Sequence, residues 1–321
     1  MKICVIGCGR WGSLITWYLS EKRGFDVTLY GRDGSETMQR FIKERRNDHL
    51  TQPESVKLST DISCLCQADV IIISINSQGL SDLMSELEPL KLKNKIFVLC
   101  MKGIEISTGR RLSEIVTEST DATNKVAVWL GPGHVQEFYA GIPNCMVIDS
   151  EDEEVKRLLV DSFSSELIRF YYGEDLLGNE IGAAAKNVIG IAAGMLDGKG
   201  LSTLKGALMS RGTREVARLI DKMGGNELSA YGLCHLGDYE ATVFSKFSHN
   251  RAYGEALARG EKFEKLAEGH YTSKAIVSLA DKYGVDMPIC RCVKSIIYDG
   301  MDTESALGEL FGRSIKSEFY K

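Results

Sequence analysis

The sequence predicts an α/β protein, with a mainly parallel sheet and intervening helices in its first half and an all-helical second domain. Three observations carry that expectation. Short apolar runs alternate with amphipathic stretches as far as about Tyr172, the order expected of βαβ units. A glycine turn, Gly7-Cys8-Gly9-Arg10-Trp11-Gly12, joins the first apolar run to the first amphipathic stretch. Beyond Tyr172 strand-like runs give way to helical periodicity.

A chain of 321 residues has room for two domains, placed here at 1–176 and 177–321. Apolar content of 44% and charged content of 26% are those of an ordinary globular protein. The net charge of −5 lacks the basic excess of a nucleic-acid binder. Of the nine cysteines only Cys64 and Cys66 are close in sequence, unlike a disulfide framework or a structural zinc site. Free thiols in a reducing compartment are the expectation, with no metal. The opening Lys2-Ile3-Cys4-Val5-Ile6 lacks a leader pattern, and no apolar run has the length of a membrane span. These features predict a cytoplasmic protein without stable membrane insertion.

Residues 3–6 read as a strand, Ser13 to about Arg23 as a helix and Asp26–Tyr30 as a second strand. In that setting G-x-G-x-x-G predicts dinucleotide binding in a Rossmann-type domain. Gly7 permits the tight turn, Gly9 lets the pyrophosphate approach the backbone, and Gly12 lets helix and strand pack closely. The helix start then offers free N–H groups and a positive dipole end. At the end of the second strand, Tyr30-Gly31-Arg32-Asp33 places Arg32 where a 2′-phosphate would lie, which admits NADP, while Asp33 leaves NAD open.

Further strands are expected at Val70–Ile75, Lys95–Cys100, Lys125–Leu130, Cys145–Ser150 and Leu167–Tyr172. Helices are expected at Gln78–Leu87, Thr108–Glu118 and Glu153–Ser164. Ligands of such sheets bind beyond the carboxyl ends of the strands. Segments 74–78, 101–105 and 131–134 fall there. Lys102 in the second reads either as a solvated loop lysine or as a cation of a site, and His134 as a loop or helix-start residue.

The second half opens with Glu180–Arg218, where Gly182, Lys186, Gly190 and Gly194 recur every four residues on one helical face. Each glycine costs a helix about 1 kcal/mol against alanine, a cost accepted where another backbone or a ligand comes close. Lys186, beside Asn187 on that face, is then either a partly desolvated acid or base, or a lysine that reaches to water past packed glycines. Arg211, Glu215 and Arg218 have the spacing of a surface ion-pair row. Farther on, Asp238 and Thr242 share a helical face, and His249-Asn250-Arg251 is either a donor cluster suited to phosphate or a polar turn.

Taken together these residues resemble the NAD(P)-dependent glycerol-3-phosphate dehydrogenases along nearly the whole chain. The resemblance is carried by the fingerprint with its Trp11, by Lys102-Gly103-Ile104-Glu105, and by Gly131-Pro132 with Glu137 and Pro143. Its most specific part is Lys186-Asn187-Val188-Ile189 with Gly194, Asp197-Gly198 and Arg211-Gly212. Gly237-Asp238, Thr242, Ser248, Asn250-Arg251 and Gly254 follow, then Glu268-Gly269 and Met287-Pro288.

The resemblance implies a second domain like that of 6-phosphogluconate dehydrogenase, a homodimer, and hydride transfer to C2 of dihydroxyacetone phosphate for glycerolipid synthesis. It implies Lys186 as general acid, with Lys102 and Asp238 shaping the same site and Thr242 orienting the lysine. Gly7, Gly9, Arg10, Trp11, Gly12, Arg32 and Glu268 would meet NAD or NADP. Asn187, Thr242, Ser248, His249, Asn250 and Arg251 would meet the phosphorylated substrate. Two departures stand out: His249 replaces the family's usual Arg, and Leu201–Lys205 is one residue short and lacks its Asn. They leave room for another oxo-acid substrate, ketopantoate-like, or for a non-catalytic NAD(H) sensor.

Overall fold

In the computed structural model, which describes residues 1–315, 317 and 318, the first half is one eight-stranded sheet. Its strands are β1 (Lys2–Ile6), β2 (Asp26–Tyr30), β3 (Lys57–Ser59), β4 (Val70–Ile73), β5 (Ile96–Leu99), β6 (Lys125–Leu130), β7 (Asn144–Ser150) and β8 (Ile168–Tyr172). The spatial order is β3-β2-β1-β4-β5-β6-β7-β8. Every neighbouring pair is parallel except β6–β7, with Trp129 opposite Ile148. The apolar runs sit in the middle of the sheet because a parallel strand there is covered on both faces: β4 is buried at every residue. The expected strands all form: β2 and β6 with the expected bounds, β1 and β7 one residue longer, and β4, β5 and β8 trimmed at their ends.

β3 has no counterpart in the sequence reading. It is a three-residue edge strand, Lys57-Leu58-Ser59, with no alternation to reveal it. The helix expected from Ser13 to Arg23 is a composite of α1 (Arg10–Trp17) and a wider π-helical turn, Tyr18–Lys22. The other helices of this half are α2 (Glu36–Glu44), α3 (Leu80–Leu87), α4 (Leu112–Ser119), α5 (Val135–Tyr139) and α6 (Glu153–Phe163). They cover both faces of the sheet and enclose two cores, one around Trp129, Tyr18 and Phe163, the other around Phe97, Leu99 and Leu112.

The second half is helical throughout its described elements: α7 (Leu176–Gly198), α8 (Lys205–Lys222), α9 (His249–Arg259), α10 (Glu268–Tyr283), α11 (Pro288–Tyr298) and α12 (Thr303–Phe311). Asp175 caps α7 by accepting from the Gly178 N–H, and the helix is buried without a break from Gly178 to Leu196. Gly182 and Gly190 lie against the side chains of His235 and Thr242, whereas Gly194 and Gly198 meet the backbone of α9. A Cβ on Gly194 would overlap the Arg251 carbonyl oxygen, and one on Gly254 would overlap that of Ile191. α7 and α9 therefore touch main chain to main chain, which only glycine allows. None of the described helices is long and apolar enough to cross a membrane.

The supposed surface row Arg211-Glu215-Arg218 needs correction. Glu215 is 3% exposed, and its carboxylate accepts the N–H groups of Ile289 (2.8 Å) and Cys290 (3.3 Å) at the start of α11. Helical spacing put the three residues on one face but did not say that α11 covers the middle of it. Burial pushes the Glu215 carboxyl up to about 7, against the pull of those two bonds.

Candidate active site

The crevice opens where the chain direction of the sheet divides, with β2 on one side of β1 and β4 on the other. Gly7 leaves β1 with φ +108°, and a side chain there would strike the Ser74 carbonyl after β4. A Cβ on Gly12 would overlap the Gly7 carbonyl oxygen. At Gly9 a Cβ would meet nothing within 4 Å among the described residues. Two glycines thus close the turn and the third leaves an open face at the start of α1. The first-turn N–H groups there lack helical acceptors, so the loop fits a pyrophosphate. Trp11 packs against Phe138 with ring centroids 6.0 Å apart, tying α1 to α5.

Arg32, just past β2, is exposed and paired with Glu86 at 2.5 Å. Glu268 opens α10 and reaches across to the end of β4, where its carboxylate accepts the Ser77 hydroxyl (2.6 Å) and the Ser77 N–H (3.4 Å). Burial raises the Glu268 carboxyl above its usual range, and the Ser77 bonds oppose that shift. It stands beside Gly103, 3.7 Å from where a Cβ would lie, at the lip of the same crevice.

Facing this loop is a triad of charges. Lys186, half-way along α7, lies 2.7 Å from Asp238 Oδ2, and Lys102, beyond β5, lies 2.6 Å from the same oxygen. Asp238 is 1% exposed, at the end of a short 3₁₀ turn, Leu236–Asp238. The Thr242 hydroxyl donates to the Asp238 carbonyl (2.8 Å) and accepts from Lys186 Nζ (2.6 Å). Lys102 Nζ also donates to the Gly131 carbonyl at 2.7 Å. Of the two readings of Lys186, the reach to water is thereby excluded: its side chain is 8% exposed and ends on Asp238. Lys102 is likewise no solvated loop lysine.

Two cations on one carboxylate leave the group with a net positive charge. An ammonium has three donors, and Lys186 has two acceptors among the described residues, so one N–H remains for a ligand. Burial lowers Lys186 to about 8; Asp238 pulls it up and Lys102 pushes it down again. Such a lysine is mostly protonated at neutral pH yet gives up its proton far more easily than an exposed one.

The remaining expected residues divide. Asn250 stands between Asn187 Oδ1, which accepts from it at 3.0 Å, and the Gly269 N–H, which donates to it at 2.9 Å. Asn187 also approaches the Lys102 carbonyl at 3.5 Å, so the two amides lock α7, α9 and α10 behind the lysines. Ser248 is the N-cap of α9, its hydroxyl accepting from the Arg251 N–H at 3.2 Å. Arg251 is a correction. Its guanidinium pairs with Asp197 (2.9 Å) and Glu255 (3.0 Å) and donates to the Ser245 carbonyl. Asp197 is eleven residues beyond Lys186 on α7, about 16 Å along the axis. The i,i+1 step from Asn250 turns Arg251 toward that end of the helix.

His249 holds neither charge nor an open side. Its Nδ1 faces the Leu266 carbonyl (3.1 Å), which only accepts, and its Nε2 faces the Arg10 guanidinium (3.0 Å), which only donates. Both partners are satisfied by the neutral ring with hydrogen on Nδ1. Burial and the neighbouring Arg10 accordingly lower its pKa. His134 does start a helix, as the N-cap of α5, yet its ring lies in the crevice against Phe247, centroids 5.5 Å apart. It is 8% exposed and its Nε2 has no hydrogen-bond partner. Sequence reasoning set it aside because a single histidine after a glycine loop carries no periodic signal.

A glycine crevice at the sheet's switch point, facing a buried lysine on a second, helical domain, defines a two-domain NAD(P)-dependent dehydrogenase. More narrowly, the chain belongs to the NAD-dependent glycerol-3-phosphate dehydrogenase family: the family models match residues 2–156, as its N-terminus, and 175–308, as its C-terminus. It is 33% identical over 333 residues to the glycerol-3-phosphate dehydrogenase [NAD(P)+] of Prosthecochloris aestuarii, covering 99% of this chain and 100% of that one. The Agrobacterium fabrum enzyme of the same name is 34% identical over 329 residues, covering 99% of each chain. The crystal structure of glycerol-3-phosphate dehydrogenase from Coxiella burnetii superposes with a TM-score of 0.91 at 27% identity, over 97% of this chain and 99% of that one. A ketopantoate reductase from Ralstonia eutropha shares the fold, with a TM-score of 0.62 at 16% identity.

Proposed function

We propose that the protein reduces dihydroxyacetone phosphate to glycerol 3-phosphate, with Lys186 as the general acid. The observation that carries this reading is the Asp238 carboxylate shared by Lys186 and Lys102, buried beyond the carboxyl ends of the sheet that also carries the glycine turn. The bound nicotinamide cofactor, NAD or NADP, supplies the hydride. As hydride reaches C2, charge grows on the carbonyl oxygen, and the free N–H of Lys186 is the donor best placed to stabilise it and pass the proton. Asp238 keeps the ammonium charged until then and Thr242 fixes its direction. Lys102 shapes the site and keeps the pair net positive, which favours a developing alkoxide.

The division of labour is residues 1–176 for the cofactor and 177–321 for substrate and catalysis, and the break between β8 and α7 supports it. Arg32 can leave its exposed partner Glu86 for a 2′-phosphate, so both cofactors are accepted in this reading. A cytoplasmic homodimer acting on a small phosphorylated substrate rests on the family resemblance. The test is loss of reduced-cofactor absorbance with dihydroxyacetone phosphate, run with NADH and NADPH and against unphosphorylated dihydroxyacetone and ketopantoate. Turnover of the phosphate ester is expected. Turnover of ketopantoate alone, or tight cofactor binding with no turnover, would overturn the assignment.

A further inference from the structure

The substrate of this reading carries a phosphate dianion, and most cations near the site are already paired. Lys186 and Lys102 hold Asp238, and Arg251 holds Asp197 and Glu255. Arg10 is different. It leaves the glycine turn half-buried, crosses to α9, and its one side-chain partner among the described residues is the neutral imidazole of His249. No carboxylate pairs with it there. A guanidinium has five N–H donors in a planar fork, so most of Arg10's remain for a ligand. A partly desolvated cation without a counter-charge is costly unless an anion joins it.

Two further observations point to a ligand at this place. The Nε2 of His134, on a side chain more than nine-tenths buried, has no partner, and after burial the charges acting on that ring are the carboxylates Glu137 and Asp238, then the cations Lys186 and Arg10. Secondly, three of the five histidines, His49, His134 and His249, lie close enough to Arg10 to be depressed by its charge, burial being the larger cause for each. The exposed Lys265 also acts on His249. Asp238 is already taken up by the lysine pair, whereas the Arg10 fork, next to this unpartnered Nε2, is still open to an anion.

We propose that Arg10 is the receptor for the substrate's phosphate, held across the crevice by His249, with His134 Nε2 as a further contact between phosphate and reacting carbonyl. His249 is a positioning residue: as an acceptor it fixes where the fork points. A loop that meets the cofactor would thereby also read the substrate, so that the phosphate site is complete only when both domains face each other. The inference rests on the activity proposed above. The other source of phosphate oxygens is the cofactor's pyrophosphate at Gly9, and the experiment separates the two.

The test compares wild type with Arg10→Ala and His249→Phe in steady-state kinetics on dihydroxyacetone phosphate and on dihydroxyacetone. NADH dissociation constants come from fluorescence titration, and calorimetric titration of the NADH complex with inorganic phosphate gives an activity-independent reading. For Arg10→Ala, KM for the phosphate ester should rise about 30-fold or more, as expected for loss of charged hydrogen bonds. The loss should fall on the phosphate ester: its KM should rise at least about tenfold more than the NADH dissociation constant or the KM for dihydroxyacetone. Binding of inorganic phosphate should be lost. His249→Phe should raise the same KM by a smaller factor without lowering kcat. Weakened NADH binding with an unchanged KM would assign Arg10 to the pyrophosphate and overturn the proposal, as would equal losses on both ketones. If the wild type reduces neither ketone, the proposed activity fails, while the phosphate titration still decides the role of Arg10.

Discussion

Two carboxylates, a buried one near the middle of α7 and a partly buried one at its end, are each shared by two cations. Asp238 takes Lys186 and Lys102; Asp197 takes Lys205 (2.6 Å) and Arg251 (2.9 Å). The inventories are nearly the same and the consequences opposite. Around Asp197, Ser202 adds a hydroxyl (2.7 Å), Glu255 a second carboxylate, and the Val243 carbonyl accepts from Lys205 at 3.1 Å. Burial would raise the Asp197 carboxyl, but the bonds from Lys205, Ser202 and Arg251 outweigh it and hold the group below its usual range. Around Asp238 burial wins at the lysine, which falls to about 8 with one donor left over. Each lysine has two oxygen acceptors among the described residues, so the difference lies in where its third N–H goes. Lys205 stands over the Phe244 ring, 5.3 Å from its centroid, whereas the third N–H of Lys186 has no such cover among them and is left for a ligand in the proposed role.

The largest expected effect breaks the comparison on the chemical side. Lys186→Met should lower kcat about 10³-fold while leaving the melting temperature and NADH affinity nearly as they were, since Lys102 still neutralises Asp238. A variant with most of its kcat would end the general-acid role. On the structural side, Lys205→Met should cost about 1 kcal/mol, since Arg251 still neutralises Asp197, read as a melting temperature lower by roughly 2 °C, with kcat within about twofold of wild type. An equal kcat loss in both lysine variants would mean that the two triads do not differ as argued.

The pH dependence sharpens the contrast at a smaller scale. In the proposed role Lys186 donates its proton from the ammonium form, so ketone reduction should fall about tenfold per pH unit above about 8. Glycerol 3-phosphate oxidation, which needs the free amine, should rise through the same range. A reduction rate flat to pH 10 would place the proton elsewhere. The smallest effect is at Thr242. Thr242→Val removes the acceptor that aims Lys186 and should lower kcat about fivefold, with little change in KM, consistent with roughly 1 kcal/mol for one hydrogen bond. A change in KM alone would make Thr242 a substrate contact.

Much of this was legible in the residues because the signals are local. The fingerprint between two apolar runs announces its turn, and the four-residue glycine spacing around Lys186 announces a helix face in close contact. Asp238 and Thr242 are four apart, and the hydroxyl does bond the Asp238 carbonyl as a shared face allows. Where the signals were weak the reading failed for matching reasons. β3 is too short and too polar to show alternation, and the antiparallel turn from β6 to β7 leaves no periodic mark.

By itself the sequence determined the alternation of strands and helices, the phosphate-ready glycine turn and the identity of the lysines, since these follow from periodicity and from backbone freedom at single positions. Tertiary structure alone decided which partner each charged group meets. Helical spacing names a face but not what covers it, so Glu215 lies under α11 and Arg251 turns to Asp197. Arg10 and His249 stand 239 residues apart in sequence, and only the packing of α9 against the glycine turn sets them 3.0 Å from each other.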